Sequence, residues 1–379
     1  MIQMVDLHSQ YLKLKDEIDG EIHKVIDSCA FINGPKVEEF AAHLSDYLGG
    51  VHVITCANGT DALQIALMSL GLKPGDEVVV PAFTYVASAE AIALLRLTPV
   101  MVDVDSTTFN ISPEAARKAI TTKTKAIIAV HLFGQSCNME PLLRLAKECN
   151  LYLIEDNAQS LGAEYIFNDG HRAKTGTMGT IGCTSFFPSK NLGCYGDGGA
   201  IFTNDDQLAN RIRMIANHGQ QVKYHHTVIG CNSRLDTLQA AVLDVKLKHL
   251  DEYCAARRTA AHHYTQAIKE LDPDERFYVA PAEVPYSTHV YHQYTLKING
   301  RHREKLKAHL AADGIPSMVY YPLPLNEQEA FMHISQTKSE LSKAKKCADS
   351  VLSLPIHTEL TPDVQGEIIK SMASFIKSL

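Results

Sequence analysis

From Val51 to Asn204 short runs rich in β-formers alternate with helical stretches at the spacing of repeated strand–helix units. Such a chain folds as a mostly parallel sheet covered by helices, which places it in the α/β class. Seven candidate strands fall at residues 51–55, 78–80, 100–104, 126–130, 151–154, 184–186 and 200–203. Several are near-continuous apolar runs, the pattern of strands buried on both faces. The first crossover helix is the clearest element. Leu63, Ala66, Leu67 and Leu70 fall at i, i+3, i+4, i+7, Asn58-Gly59-Thr60-Asp61 caps the start, and Gly71 and Pro74 stop it.

On either side the pattern changes. Residues 11–47 read as two helices broken at Phe31-Ile32-Asn33-Gly34-Pro35, a glycine–proline turn that can reach a neighbouring subunit. After about residue 250, long helical segments at 253–271 and 303–313 flank a strand at 291–298. This predicts a large domain over 1–250 and a smaller α+β domain over 251–379, in line with two or three domains for 379 residues. The most linker-like stretch, residues 272–286 with Pro273, Pro281 and Pro285, is expected to be an ordered loop.

Charge and cysteine usage exclude several classes. With Lys+Arg 36 against Asp+Glu 43 the net charge is -7, so there is no basic footprint for nucleic acid. The nine cysteines are odd in number, dispersed and without a Cys-x-x-Cys pair, which points to reduced thiols in a cytoplasm. The start Met1-Ile2-Gln3-Met4-Val5-Asp6-Leu7 has neither a basic nor an apolar run, and no stretch of about 18 apolar residues occurs, so neither export nor membrane insertion is expected. His225-His226 and His262-His263 lack metal-ligand spacing, and no metal is expected.

In open parallel sheets ligands sit at the carboxyl ends of strands, and four such ends carry chemistry. At Cys56-Ala57-Asn58-Gly59-Thr60 a strand stops and a helix begins, where free N–H groups, the helix dipole and a hydroxyl can hold a phosphate. Pro81-Ala82-Phe83-Thr84-Tyr85 offers an aromatic to stack on a planar ligand. In Glu155-Asp156-Asn157-Ala158-Gln159 a carboxylate ends an apolar strand, where burial demands a cationic partner such as a protonated ring nitrogen. Ser185-Phe186-Phe187-Pro188-Ser189-Lys190 and the glycines after it put an amine in an apolar loop, where a lowered pKa makes it nucleophilic towards a carbonyl. Each feature also has a plain reading: an N-cap, a core aromatic, a helix-capping acid, a solvated lysine. Gly196-Asp197-Gly198-Gly199 lacks the spacing of a dinucleotide fingerprint. Taken together, a phosphate cradle, a stacking aromatic, a carboxylate for a ring nitrogen and an amine for an aldehyde are what pyridoxal 5'-phosphate (PLP) requires.

These same residues carry a resemblance. Asn58-Gly59-Thr60-Asp61-Ala62-Leu63, Pro74-Gly75-Asp76-Glu77-Val78, Glu155-Asp156-Asn157-Ala158-Gln159, Ser185-Phe186-Phe187-Pro188-Ser189-Lys190 and Asn232-Ser233-Arg234-Leu235-Asp236 resemble the motifs of DegT/StrS nucleotide-sugar aminotransferases, over essentially the full length. The resemblance implies a fold type I PLP-dependent transferase. It implies that Lys190 bonds to the cofactor aldehyde, Asp156 pairs with the pyridine nitrogen, Gln159 lies near the ring hydroxyl and Tyr85 stacks on the ring. Gly59, Thr60 and Ser185 would hold the phosphate. It further implies that Asn232 reaches the phosphate from the opposite subunit of a homodimer, with Arg234 nearby on substrate. Some relatives carry His in place of the lysine and dehydrate sugars; Lys190 keeps the amino-transfer reading.

Within that family the chain is most similar to aminotransferases acting on UDP-2-acetamido-2-deoxy-3-oxo-glucuronate, through Phe31-Ile32-Asn33-Gly34-Pro35, His131-Leu132-Phe133-Gly134-Gln135, His218-Gly219-Gln220 and Tyr224-His225-His226. Asn326 stands where enzymes for deoxysugars usually have His. Tyr320, before Tyr321-Pro322, replaces a common His, so the carboxylate or sugar contact at 320 departs from the family's, while Tyr320, Tyr321 and Asn326 remain the expected substrate residues. The implied reaction takes an amino group from L-glutamate to a keto carbon of a nucleotide sugar for surface glycan synthesis. Alternatives are a dTDP-linked 3-oxo or 4-oxo deoxyhexose as acceptor, or a PLP-binding regulatory protein without catalysis.

Overall fold

The computed structural model describes residues 2–379. The chain opens with α1 (Leu7–Ser28) and α2 (Pro35–Tyr47), separated by the expected turn, with Pro35 at the first position of the second helix. The alternating region follows as β1 (His52–Cys56), α3 (Gly59–Ser69), β2 (Glu77–Pro81), α4 (Ala87–Leu94), β3 (Thr98–Val102), α5 (Pro113–Ala119), β4 (Thr124–Val130), α6 (Met139–Cys149) and β5 (Tyr152–Asp156). A small hairpin, β6 (Glu164–Ile166) and β7 (Arg172–Lys174), precedes β8 (Ile181–Ser185) and β9 (Gly199–Thr203). Then come α7 (Asp206–Ala216), an exposed hairpin of β10 (Gln220–Val222) and β11 (His225–His226), α8 (Thr237–Leu247) and α9 (Leu250–Leu271). The remaining elements are β12 (Tyr278–Val279), β13 (Tyr294–Ile298), α10 (Arg303–Ala312), β14 (Gln336–Thr337), α11 (Ser342–Ser350), β15 (Val351–Leu354) and α12 (Pro362–Lys377).

The large sheet has the order β1-β9-β8-β5-β4-β2-β3-β14. All seven expected strands belong to it, and only β9 runs against the others. The sheet has eight strands rather than seven. The eighth, β14, arrives from far down the chain and pairs Gln336 with Val100 and Thr337 with Met101. Two polar residues at a sheet edge carry no apolar alternation, so sequence patterning does not reveal them.

Ile54, Cys56, Val78, Val80, Ile128 and Ile154 bury one sheet face against α3 and α4; Val79, Val100, Ile127, Ala129 and Leu153 bury the other against α5 and α6. In α3, Leu63, Ile65 and Leu67 are 2% exposed or less, and each such side chain stabilises the fold by roughly 1.5–3 kcal/mol. A separate core, containing Tyr264, Tyr294, Leu296, Leu306, Leu352 and Ile368, joins the three-stranded sheet β12-β13-β15 to α9, α10 and α12. Helix α9 enters both cores: Leu250 and Cys254 pack with the large sheet, Ala260, Ala261 and Tyr264 with the small one. The loop after α9 is ordered by Asp272, whose carboxylate accepts from the N–H groups of Arg276, Phe277 and Tyr278. Among the described residues no helix is long and apolar enough to cross a membrane.

Candidate active site

Strands β1, β2, β4, β5 and β8 all point their carboxyl ends at one cavity of about 490 Å³. Asn58, Gly59, Thr60, Tyr85, Asp156, Gln159, Ser185, Lys190, Tyr320 and Tyr321 line it, so the expected residues converge. Three do not. Asn232 is exposed and Arg234 is half-buried, both off this chain's own cavity wall. Asn326 lies in a short 3₁₀ turn, Leu325–Glu327, also off the wall, with its Oδ1 buried and unpartnered.

The cradle is built by close packing at the start of α3. Asn58 caps the helix, its Oδ1 accepting from Asp61 N–H at 2.8 Å. A Cβ on Gly59 would lie 2.7 Å from Ser185 Cβ, and one on Gly199 would lie 2.5 Å from the Asn58 carbonyl. Both positions therefore require glycine, which brings the helix N-terminus, β8 and β9 together around one small space.

Asp156 ends β5 and is almost wholly buried. Its Oδ2 accepts from the Ser88 hydroxyl at 2.8 Å and its Oδ1 from Ala158 N–H at 3.2 Å. Burial pushes its carboxyl above the ordinary range, against those two bonds and the charge of Lys190. No described cation reaches salt-bridge distance. Such a carboxylate has capacity left for a cationic N–H donor.

Lys190 projects from the loop after β8, whose first turn is closed by Lys190 N–H to Phe187 O at 2.8 Å. Burial lowers its amine to about 8, Asp156 opposing, and no hydrogen bond contributes. About a tenth of it is therefore unprotonated at pH 7, several hundred times more than for an ordinary lysine, and attack on a carbonyl requires that form. Gln159 is fixed at both ends, its Oε1 accepting from Phe133 N–H at 2.7 Å and its Nε2 donating to the Tyr321 hydroxyl at 3.1 Å. Tyr85 is 55% exposed at the cavity mouth, its ring 6.0 Å from that of Tyr321.

Two residues of the site escape sequence reasoning. Ser88 holds Asp156, and its only sequence signal is a hydroxyl one helical turn after Thr84, to which it is bonded at 3.3 Å. His292 lines the cavity from the segment before β13, and burial keeps its ring well below the ordinary histidine range, hence neutral. Nothing in its local sequence places it there.

A glycine-bound helix start, a buried carboxylate lacking a cationic partner and an unpaired amine of low pKa fit one group, PLP: phosphate, ring nitrogen and aldehyde each find a complement. Comparison with known proteins agrees. The DegT/DnrJ/EryC1/StrS aminotransferase family matches residues 12–373. The chain is 47% identical over 360 residues, 95% of its length and 96% of the relative's, to a UDP-2-acetamido-2-deoxy-3-oxo-D-glucuronate aminotransferase of Pseudomonas aeruginosa. It is 45% identical over 376 residues, 99% of each chain, to a pleiotropic regulatory protein of Geobacillus stearothermophilus. Among solved structures, NtdA of Bacillus subtilis with bound cofactor PMP superposes with a TM-score of 0.87 at 30% identity, over 96% of this chain and 82% of that one. PLP is the cofactor this site takes, and the chain belongs to the DegT/DnrJ/EryC1/StrS aminotransferase family.

Proposed function

We propose that this enzyme transfers an amino group from L-glutamate to the keto carbon of UDP-2-acetamido-2-deoxy-3-oxo-glucuronate, supplying an amino sugar for surface glycans in the cytoplasm. The observation that carries the chemistry is that Lys190 and Asp156 line one cavity, each without a partner of opposite charge at bonding distance among the described residues. The acceptor rests on likeness to the Pseudomonas enzyme.

PLP bound here supplies an electron sink for the pair left when a substrate C–H bond breaks. Asp156, held by Ser88, keeps a proton on the ring nitrogen. The Lys190 amine, near pKa 8, would hold the aldehyde end of the group and would be the base that takes up and returns the substrate proton. Gly59, Thr60 and Ser185 would hold the phosphate, with Tyr85 against the ring and Gln159 near its hydroxyl, all of them lining one cavity. Asn232 and Arg234, which do not line their own cavity, serve the site of a second copy, Asn232 at the phosphate and Arg234 at substrate. Apolar side chains left in solvent support that dimer, among them Ile32, Phe187, Tyr224 and Ile229, each more than half exposed. Tyr320 and Tyr321, on the cavity wall, contact the sugar, and Asn326 is a further substrate residue although it lies off that wall. The chain is divided into two domains, 1–250 and 251–379, with α9 packed into the cores of both.

Tyr320 favours a second acceptor, a dTDP-linked 3-oxo or 4-oxo deoxyhexose, because the position lacks the basic side chain that would meet a uronate. Incubation with L-glutamate and each sugar nucleotide, with product identified by mass spectrometry, decides between them. Amino-sugar formation from the UDP-uronate supports the proposal; product from the dTDP sugar alone overturns its acceptor. Absence of any product from wild type, matching Lys190→Ala, favours the regulatory reading instead.

A further inference from the structure

Ser233 lies between exposed Asn232 and half-buried Arg234, yet its own side chain is 1% exposed. Its hydroxyl donates to Asp61 Oδ2 at 2.6 Å and accepts from Ala57 N–H at 3.0 Å. Those partners flank Asn58-Gly59-Thr60, the phosphate cradle of the same chain. The backbone around Ser233 is fixed as well: Cys231 and Ser233 donate to the carbonyls of Ile215 and Ala216, and Asn217 pairs with Asn232. One short segment is thus bonded to the end of α7 by its backbone and to the cradle by one hydroxyl, while Asn232 faces out. The hydroxyl also occupies a carboxylate oxygen of Asp61, in the first turn of the helix that receives the phosphate.

We propose that Ser233 is a positioning residue for two active sites at once, bracing the phosphate cradle of its own chain and setting the direction of Asn232 and Arg234 into the site of the second copy. This rests on the shared-site reading above. A change at Ser233 therefore acts in cis on one cradle and in trans on the other.

Hybrid dimers separate the two effects. A chain carrying Asn232→Ala is paired with one carrying Lys190→Ala, using two affinity tags, so that only the site with the intact lysine and the donated Asn232 is complete. Recovered activity in this parent hybrid establishes the shared site; no recovery refutes that reading and the proposal with it. Ser233→Ala is then placed on either chain, and PLP affinity and kcat are measured. The proposal expects PLP Kd to rise about five-fold or more in both placements, since an unmade buried hydrogen bond costs at least that. Ser233→Thr, which retains the hydroxyl, is expected to stay within about two-fold of the parent. A loss confined to one placement, or an equal loss with Ser233→Thr, overturns the proposal, and matched thermal melts of the hybrids exclude general unfolding as the cause.

Discussion

Glu155→Gln is the substitution whose cost the structure fixes most tightly. The Glu155 carboxylate is fully buried and accepts four hydrogen bonds: His131 Nε2–H at 2.8 Å and Gly176 N–H at 2.8 Å on Oε2, Met178 N–H at 2.7 Å and Gly179 N–H at 2.6 Å on Oε1. Four donors converge, and a carboxylate alone offers acceptors on both sides. A glutamine has one oxygen and one NH₂, so whichever way it turns, its NH₂ faces two donors. His131 cannot relieve this by moving its proton, because its Nδ1 accepts from Cys137 N–H at 3.0 Å and a proton there would oppose that bond. Two buried donors remain unpaired at about 1–3 kcal/mol each, giving roughly 2–6 kcal/mol in total. That is a large part of a typical unfolding free energy of about 5–15 kcal/mol. Function is expected to fall too, since Asp156 follows directly and its carbonyl accepts from His131 N–H at 3.1 Å. Urea unfolding and steady-state rates of the Gln variant test this. A stability within about 1 kcal/mol of wild type, with kcat unchanged, refutes the reasoning.

Three further outcomes are expected. Gly59→Ala places a Cβ 2.7 Å from Ser185 Cβ, so PLP affinity should drop about ten-fold or more with far-UV circular dichroism unchanged; equal affinity would contradict the cradle. Ser88→Ala removes the hydroxyl that opposes the upward shift of the Asp156 carboxyl; the acid limb of the kcat–pH profile should then move to higher pH, and an unmoved limb argues against Ser88 as its support. Burial depresses the Lys190 amine from 10.5 to about 8, so between those values the unfolded chain binds more protons and stability must rise with pH. The melting temperature of cofactor-free wild type relative to Lys190→Met should therefore climb from pH 7.5 to pH 9.5, and a constant difference would count against a depressed amine.

Much of the architecture was legible because strands buried on both faces leave unbroken apolar runs, as in residues 78–80 and 126–130. The misplacements have local causes. Strand β5 continues through Glu155 and Asp156, beyond the apolar stretch expected to end it, because the sheet end supplies hydrogen-bond donors to both carboxylates. Strand β8 starts three residues before its expected position. There Gly182 is in contact with the loop at Gly176, where a Cβ would lie 1.9 Å from a carbonyl oxygen, so a glycine that reads as a strand breaker is the residue that allows the strand. Lys190, Asp156 and the cradle could be read because each lies at the carboxyl end of a strand or in the loop just beyond it. His292 could not, since it reaches the cavity from a loop roughly a hundred residues further along the chain. Asn232 and Arg234 were visible as a motif, but a single chain gives them no cavity of their own.

The central claim is amino transfer through this site to a UDP-uronate, and one experiment tests it in two halves. The PLP-loaded enzyme is treated with L-glutamate until its visible absorbance bleaches, freed of glutamate, and then given one equivalent of UDP-2-acetamido-2-deoxy-3-oxo-glucuronate or of a dTDP-3-oxo-6-deoxyhexose. The account predicts stoichiometric return of the absorbance with the UDP-uronate and none in Lys190→Ala. No bleaching by glutamate, or return with the dTDP sugar alone, contradicts it.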